Sequence, residues 1–385
     1  MSLLRSERFA AAILLLAAVA GIVLANSPIG PALFDLQHAE LALPGTPIVL
    51  SIGHWVSDGL LAVFFFTAAI ELKHELVEGD LNTVGKAIRP AIAALGGVIV
   101  PIVVYLFFTI GSGFEQGWPI PTATDIAFAL GVLAVVGKGL PSKVRVFLLA
   151  LAILDDIIAI IIIALFFTSD PQPLLIVIAA VGVVLFAFLS RKLGGRHSRL
   201  IALAMVVVGL LVWALVLLSG IHATIAGVAL GLSVALKPGS RVRHTLEPAV
   251  NGFVLPLFAF SAALVLIPQV AISELAPPFW GILVALPVGK IIGVTLGGLL
   301  GRRFGPAEGA LPLGDLLAAG ALAGVGFTVS LLMNELAFGS ALEVKDEGTL
   351  AVLLGSTISI VLAVILVGFR ARHYRRVARD GEITV

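Results

Sequence analysis

Between Leu148 and Phe167 every side chain is aliphatic or aromatic except two, and those two are the adjacent carboxylates Asp155 and Asp156. A run of that length spans a hydrocarbon core of about 30 Å as a single helix. Lipid offers the backbone no hydrogen bonds, so such a segment must satisfy its own amides, which a helix does. Comparable apolar runs start near Phe9, His54, Ile88, Gly113, Ser142, Leu174, Leu200, Gly220, Leu246, Phe279, Asp315 and Thr349. The expected fold class is an all-α polytopic membrane protein with twelve transmembrane helices. Only 12% of residues are charged, against about 25% in a soluble domain. Glycine and proline fall inside apolar runs, where membrane helices tolerate them.

The basic residues orient these spans. Arg5 and Arg8, then Lys73, Lys86 and Arg89, then Lys138, Lys143 and Arg145 fall in alternate connections, and the pattern continues to the five arginines between Arg370 and Arg379. Of 24 Lys and Arg, 22 fall on one side, Lys345 alone on the other, and Lys290 on neither. Positive charge stays cytoplasmic, so both termini are expected inside and the number of spans even. The run Phe9–Leu24 ends at Asn26-Ser27-Pro28 rather than at a small-residue cleavage site and reads as an uncleaved span. The longest polar connection, from Ser27 to Gly53, leaves no room for a soluble domain, so residues 1–385 read as one transmembrane domain. Within it, residues 38–53 hold two short apolar-rich runs about a Pro-Gly turn, which fits an external β-hairpin or an irregular loop. A net charge of +1, spread in small clusters, carries no nucleic-acid signal, and the absence of cysteine excludes thiolate chemistry.

Charges far from any span end point to function. Lys290 lies about 11 residues, roughly 16 Å, from either end of Phe279–Leu300, too deep for its side chain to reach water. It needs a buried carboxylate or a wet cavity, either as a structural ion pair or as part of a transport site. Asp155 and Asp156 project about 100° apart on their helix, so one can meet Lys290 while the other faces a cavity. Neighbouring carboxylates in a poorly hydrated site do not both ionise cheaply, which places proton exchange within reach of neutral pH. Asp125 follows Pro119-Ile-Pro-Thr-Ala-Thr, where prolines and hydroxyls break an apolar span. A second interruption, Gly324-Val-Gly326, breaks Leu316–Leu332. Interrupted segments in matching positions of two halves mark inverted-repeat transporters. The broken helices are expected to cross, with Asp125 neutralising their positive ends and Lys290 their negative ends.

Together these stretches resemble the NhaA family of bacterial Na+/H+ antiporters, itself one of the families from which the interrupted-helix rule is drawn. The resemblance covers nearly the whole chain. It is carried by Pro121–Gly131, Ala150–Phe166, Ser219-Gly-Ile-His-Ala-Thr-Ile-Ala-Gly227, Leu255–Phe260, Gly289-Lys290 and Gly324–Ser330. It implies that Asp156 is the principal cation and proton carrier, Asp155 its partner in contact with Lys290, and Thr124 a nearby oxygen donor. It also implies no cofactor, a homodimer in the bacterial inner membrane, and electrogenic exchange of Na+ or Li+ for more than one H+. Carboxylates, a hydroxyl and freed carbonyls suit hard cations.

In that family acids and histidines at the cytoplasmic entrance are linked to alkaline activation. Here Glu71, Glu75 and Glu78 follow the second span, and His244 and Glu247 precede the ninth. Arg243 and Glu247 stand where the family pattern has an acid and a second histidine, which bears on the pH set-point. The stretch Phe260–Leu264 lacks the expected Asn, and that helix reads as structural. His222 reads as a structural hydrogen-bonding residue, and Asp58 and Glu335 as interfacial. The runner-up function is another inverted-repeat transporter, such as a sodium-coupled organic anion symporter, with a passive channel third. An intramembrane aspartyl protease would need its two acids on facing helices, and a primary pump would need a phosphate-binding loop that is absent, so an enzyme is not expected.

Overall fold

The computed structural model describes residues 7–79, 81–168, 170–194, 197–304 and 310–379. Arg5 and Arg196, counted above on the basic side, lie outside them. The chain is mostly helical. It opens with α1 (Glu7–Ala25), α2 (Gly30–His38), a two-stranded ribbon β1 (Glu40–Ala42) and β2 (Val49–Ser51), and α3 (Ile52–His54), which continues through a π turn into α4 (Leu61–Val77). Next come α5 (Val84–Thr109), α6 (Ile126–Val136), α7 (Ser142–Phe166), α8 (Pro173–Arg191), α9 (Ser198–Leu218) and α10 (Thr224–Ser233). α11 (Leu236–Ala249) passes through a π turn into α12 (Leu255–Ala262), and α13 (Pro277–Val284) likewise into α14 (Lys290–Gly301). α15 (Leu313–Ala323), α16 (Phe327–Phe338) and α17 (Leu342–Arg379) complete the chain. The ribbon is antiparallel, with Leu41 opposite Leu50.

Among the described residues, eight helical stretches are long and apolar enough to cross a bilayer, and up to ten if the bent pairs α1/α2 (110°) and α15/α16 (50°) each count once. The remaining two of the twelve expected spans differ for identifiable reasons. The run from Gly220 spends its first residues in the connection after α9, where Gly220 takes a φ of 80°, as a glycine closing a helix does. That leaves α10 with 10 residues, about 15 Å of helix. The run from Leu246 continues a helix whose first turns are polar, carrying Lys237, Arg241, Arg243, His244 and Glu247.

Contacts group the chain into two units. In the first (16–79 and 160–264), Phe186, Met205, Val212, Val216 and Leu230 form a core among α8, α9 and α10. α10 lies directly on α4, since a Cβ at Gly227 would collide with the Ala62 carbonyl. Lys73 closes α10 from below, donating to the carbonyls of Leu232 and Val234 at 2.8 and 2.6 Å, as cations do at helix C-termini.

In the second unit (6–15, 80–159 and 265–385), α5 and α14 meet backbone to backbone. Gly289, Gly293, Gly297 and Gly301 recur every fourth residue through α14, and a Cβ on Gly293 would strike the Gly96 carbonyl. Small residues at this spacing permit close helix approach in lipid. The consequence for function is positional: Lys290 sits within this tight seam, its Nζ 4.0 Å from where a Cβ on Gly97 would lie. Gly293→Val should destabilise the protein by at least about 1–3 kcal/mol through overpacking. Thermal unfolding in detergent checks this against Gly85→Val, where a Cβ meets nothing within 4 Å.

Candidate cation and proton site

All four intramembrane charges read from the sequence belong to the second unit. The first interruption follows from Pro119 and Pro121. Proline lacks an N–H and disfavours helix in the residue before it, so two short 3-10 turns, Glu115–Gly117 and Ile120–Thr122, replace a continuous helix. The chain then extends through Ala123 (φ −86°, ψ 154°) to Asp125, the N-cap of α6. The second interruption, 324–326, uses glycine for space rather than for backbone freedom. Gly324 has a φ of −71° and Gly326 of −94°, but a Cβ on Gly324 would lie 2.6 Å from both the Leu286 carbonyl and Ser359 Oγ.

The two interruptions touch. The Asp125 amide donates to the Val325 carbonyl at 2.7 Å, and the Thr124 hydroxyl lies 2.9 Å from the Ala323 carbonyl. The Asp125 carboxylate accepts from the Phe128 amide (3.0 Å) in the first turn of α6, and from the Thr328 amide (3.2 Å) and hydroxyl (2.8 Å) in the first turn of α16. One carboxylate therefore faces the positive ends of two half-helices, where a negative charge is stabilised. Asp125→Ala strands three buried donors, and at about 1–3 kcal/mol each it should cost stability severely; differential scanning calorimetry of the purified variant measures it.

Lys290 is fully buried, and all three ammonium protons are used. Nζ donates to the Thr122 carbonyl (2.5 Å), to Thr124 Oγ1 (3.1 Å) and to Asp155 Oδ2 (2.7 Å). The Thr122 carbonyl lies at the end of the 3-10 turn Ile120–Thr122, so the lysine caps the negative end of that half-segment. Thr124 Oγ1 is also 2.6 Å from Asp155 Oδ2; with one hydrogen, it can donate to Asp155 or to Ala323 O at any moment. Asp155 Oδ2 is thus saturated, while its buried Oδ1 has no hydrogen-bond partner among the described residues. Asp156, next on α7, is only partly buried. The geometry brings Asp155, Thr124 and Lys290 into one cluster and Asp125 onto the adjoining helix ends. A carboxylate oxygen, a hydroxyl and half-helix carbonyls suit a hard cation.

The entrance residues lie in the first unit. Glu71 forms a 2.8 Å ion pair with Arg243, the residue that departs from the expected acid. Glu78 lies 3.4 Å from His74 and Glu247 3.6 Å from His244, while the Glu75 carboxylate folds over Gly79. Glu247 and Glu75 also lie close enough to act electrostatically on Glu71, so these groups share one neighbourhood. Asp58, read as interfacial, is instead buried, and its Oδ1 lies 3.1 Å from His222 Nε2. The Trp213 indole donates to the Asp58 carbonyl (2.9 Å), and His222 Nδ1 meets Thr224 Oγ1 at 2.9 Å. No sequence spacing linked Asp58 to His222. Glu335 does lie at a helix end, 3.5 Å from Lys345.

Residues 1–367 match the family described as Na+/H+ antiporter 1. The chain belongs to this family. Among relatives, the Na(+)/H(+) antiporter NhaA 2 of Clavibacter michiganensis subsp. michiganensis is 59% identical over 97% of this chain and 93% of its own length. The Na(+)/H(+) antiporter NhaA of Tropheryma whipplei (strain Twist) is 46% identical over 95% and 94%. The Na(+)/H(+) antiporter NhaA 3 of Streptomyces coelicolor is 43% identical over 98% and 82%. As a member of the Na+/H+ antiporter 1 family, this multi-pass membrane protein carries Asp125, Asp155 and Lys290 buried beside the two interruptions.

Proposed function

We propose that this chain exchanges cytoplasmic Na+ for external H+ across the bacterial inner membrane, with Asp156 and Asp155 as the site where the two compete. Exchange of Na+ for H+ follows from membership of the family. The assignment of the site rests on one observation: the open Oδ1 of Asp155 beside partly buried Asp156, in a cluster whose other Asp155 oxygen is held by Lys290. A carboxylate holding a proton has lost the charge that attracts Na+, and Na+ bound there disfavours the proton. Exposing the pair alternately to the two sides converts a proton gradient into sodium export, with no nucleotide and no cofactor. Thr124 supplies a further oxygen, Asp125 and Lys290 hold the half-helix ends, and Gly324 and Gly326 let the second interruption approach the first. We read the interrupted helices as crossing, within a twelve-segment inverted repeat whose α10 and α12 are its short members.

The family resemblance implies that more than one proton leaves for each cation, which makes exchange electrogenic, and Li+, also a hard cation, is accepted. The charged groups at the cytoplasmic entrance, Glu71, Glu75, Glu78, His244 and Glu247, set the pH response. The ribbon β1–β2, with exposed Leu41 and Val49, serves a homodimer. In proteoliposomes with an imposed pH gradient, Na+ and Li+ should dissipate the gradient, and a voltage-sensitive dye should report charge movement that valinomycin and K+ collapse. An organic anion requirement would favour the symporter reading, and proton movement without Na+ a channel.

A further inference from the structure

α17 has 38 residues, about 57 Å of helix against a hydrocarbon core of about 30 Å, and its exposed apolar stripe changes character at one level. Leu354, Ile358, Val361, Ile365 and Phe369 are 43–62% exposed and share one helix face by their three- and four-residue spacing. The same spacing carries that face into Arg372, Arg376 and Arg379, all exposed. Beside the stripe, an apolar groove in the second unit runs between α1, α6 and α17, lined by Ala12, Leu15, Gly131, Val135, Ile360 and Val364 among others. The groove approaches the ends of these helices that lie on the basic side: the start of α1, the end of α6 and the end of α17.

Cations follow the groove's lining residues in the chain: Lys138 comes two residues after Val136, and Arg372 and Arg375 lie two to three turns past Val364 on α17. Exposed Lys138 follows α6 within one turn. The Arg375 stem packs on Gly139, 2.7 Å from where a Cβ there would lie. Lys138, Arg372 and Arg375 have no ion-pair partner among the described residues, and the Asp315 carboxylate is held by Arg370 Nε (2.7 Å) and the Tyr374 hydroxyl (2.6 Å). An apolar slot ending at uncompensated cations matches one chemistry, an acyl chain below a phosphate-bearing headgroup. We infer that the groove between α1, α6 and α17 is a binding site for an anionic phospholipid, with an acyl chain along Val135 and Val364 and the headgroup phosphate at Lys138, Arg372 and Arg375. This site is separate from the exchange site, and antiport can stand whatever its fate.

Native mass spectrometry of the purified full chain, titrated with phosphatidylglycerol or phosphatidylcholine of identical acyl chains, tests the proposal. Wild type should retain phosphatidylglycerol more tightly. Lys138→Gln with Arg375→Gln, at surface positions away from the exchange site, should weaken phosphatidylglycerol roughly fivefold per charge removed and leave phosphatidylcholine unchanged. Lys138→Arg with Arg375→Lys should keep the preference. Val135→Trp, which fills the slot, should weaken both lipids. Equal retention of the two lipids by wild type, or unchanged phosphatidylglycerol retention by the glutamine variant, would overturn it.

Discussion

Asp156→Asn should abolish Na+-dependent proton movement in everted vesicles, a loss to background while the protein still inserts and folds. Asparagine keeps the shape and one carbonyl oxygen of Asp156 but holds neither a proton nor a negative charge, so both halves of the competition disappear together. Asp156 is only partly buried, so exchanging it for a neutral isostere disturbs packing little, and a melting temperature near wild type is expected beside the lost flux. Asp156→Glu keeps a titratable oxygen and should retain a fraction of activity with altered cation affinity. Normal exchange by the asparagine variant would show that the site has been assigned to the wrong carboxylate.

Lys290→Ala should act mainly on stability. The lysine is fully buried, and its loss leaves Asp155, also buried, without its cation, while the Thr122 carbonyl loses its donor. Removing one partner of a buried pair typically costs about 3–5 kcal/mol. A sharply lowered unfolding temperature in detergent is therefore the primary readout. Replacing both partners, Lys290→Met with Asp155→Asn, removes both charges and should recover much of that stability, since two neutral groups incur no such desolvation. If single and double variants unfold alike, the stability does not come from the pair. Transport by Lys290→Ala should fall less than that of Asp156→Asn, because the lysine positions Asp155 and the helix ends rather than carrying the ion.

The charges of the site were legible in the sequence because an apolar run makes each one conspicuous. Lys290 needed a carboxylate, and among intramembrane acids the adjacent pair on α7 was the natural partner; the structure gives it Asp155. Interruption at Pro119 and Pro121 was equally visible, as proline forbids the helical hydrogen bond. What stayed hidden depends on tertiary proximity. That the Asp125 carboxylate would reach Thr328, across 203 positions of sequence, or that Asp58 would meet His222, no spacing announces. The glycine ladder through α14 had a readable period, Gly289 to Gly301 in steps of four, but its packing partner on α5 carries no matching signal beyond Gly96 and Gly97. Two of the twelve apolar runs correspond to helices shorter than a full span, since hydropathy counts apolar residues and not the places where a helix starts late, as α10 does. Arg243, seen as a departure from the family pattern, acquires a specific role as the partner of Glu71.

Rivalry between a metal ion and hydrogen ions for the acids of α7 is open to direct calorimetry. Sodium titrated into the purified protein, in buffers of equal pH but different ionisation enthalpy, should give heats that differ in proportion to the protons expelled, and an affinity that weakens as the medium is acidified. Heats independent of the buffer, with an affinity indifferent to acidity, would contradict the account.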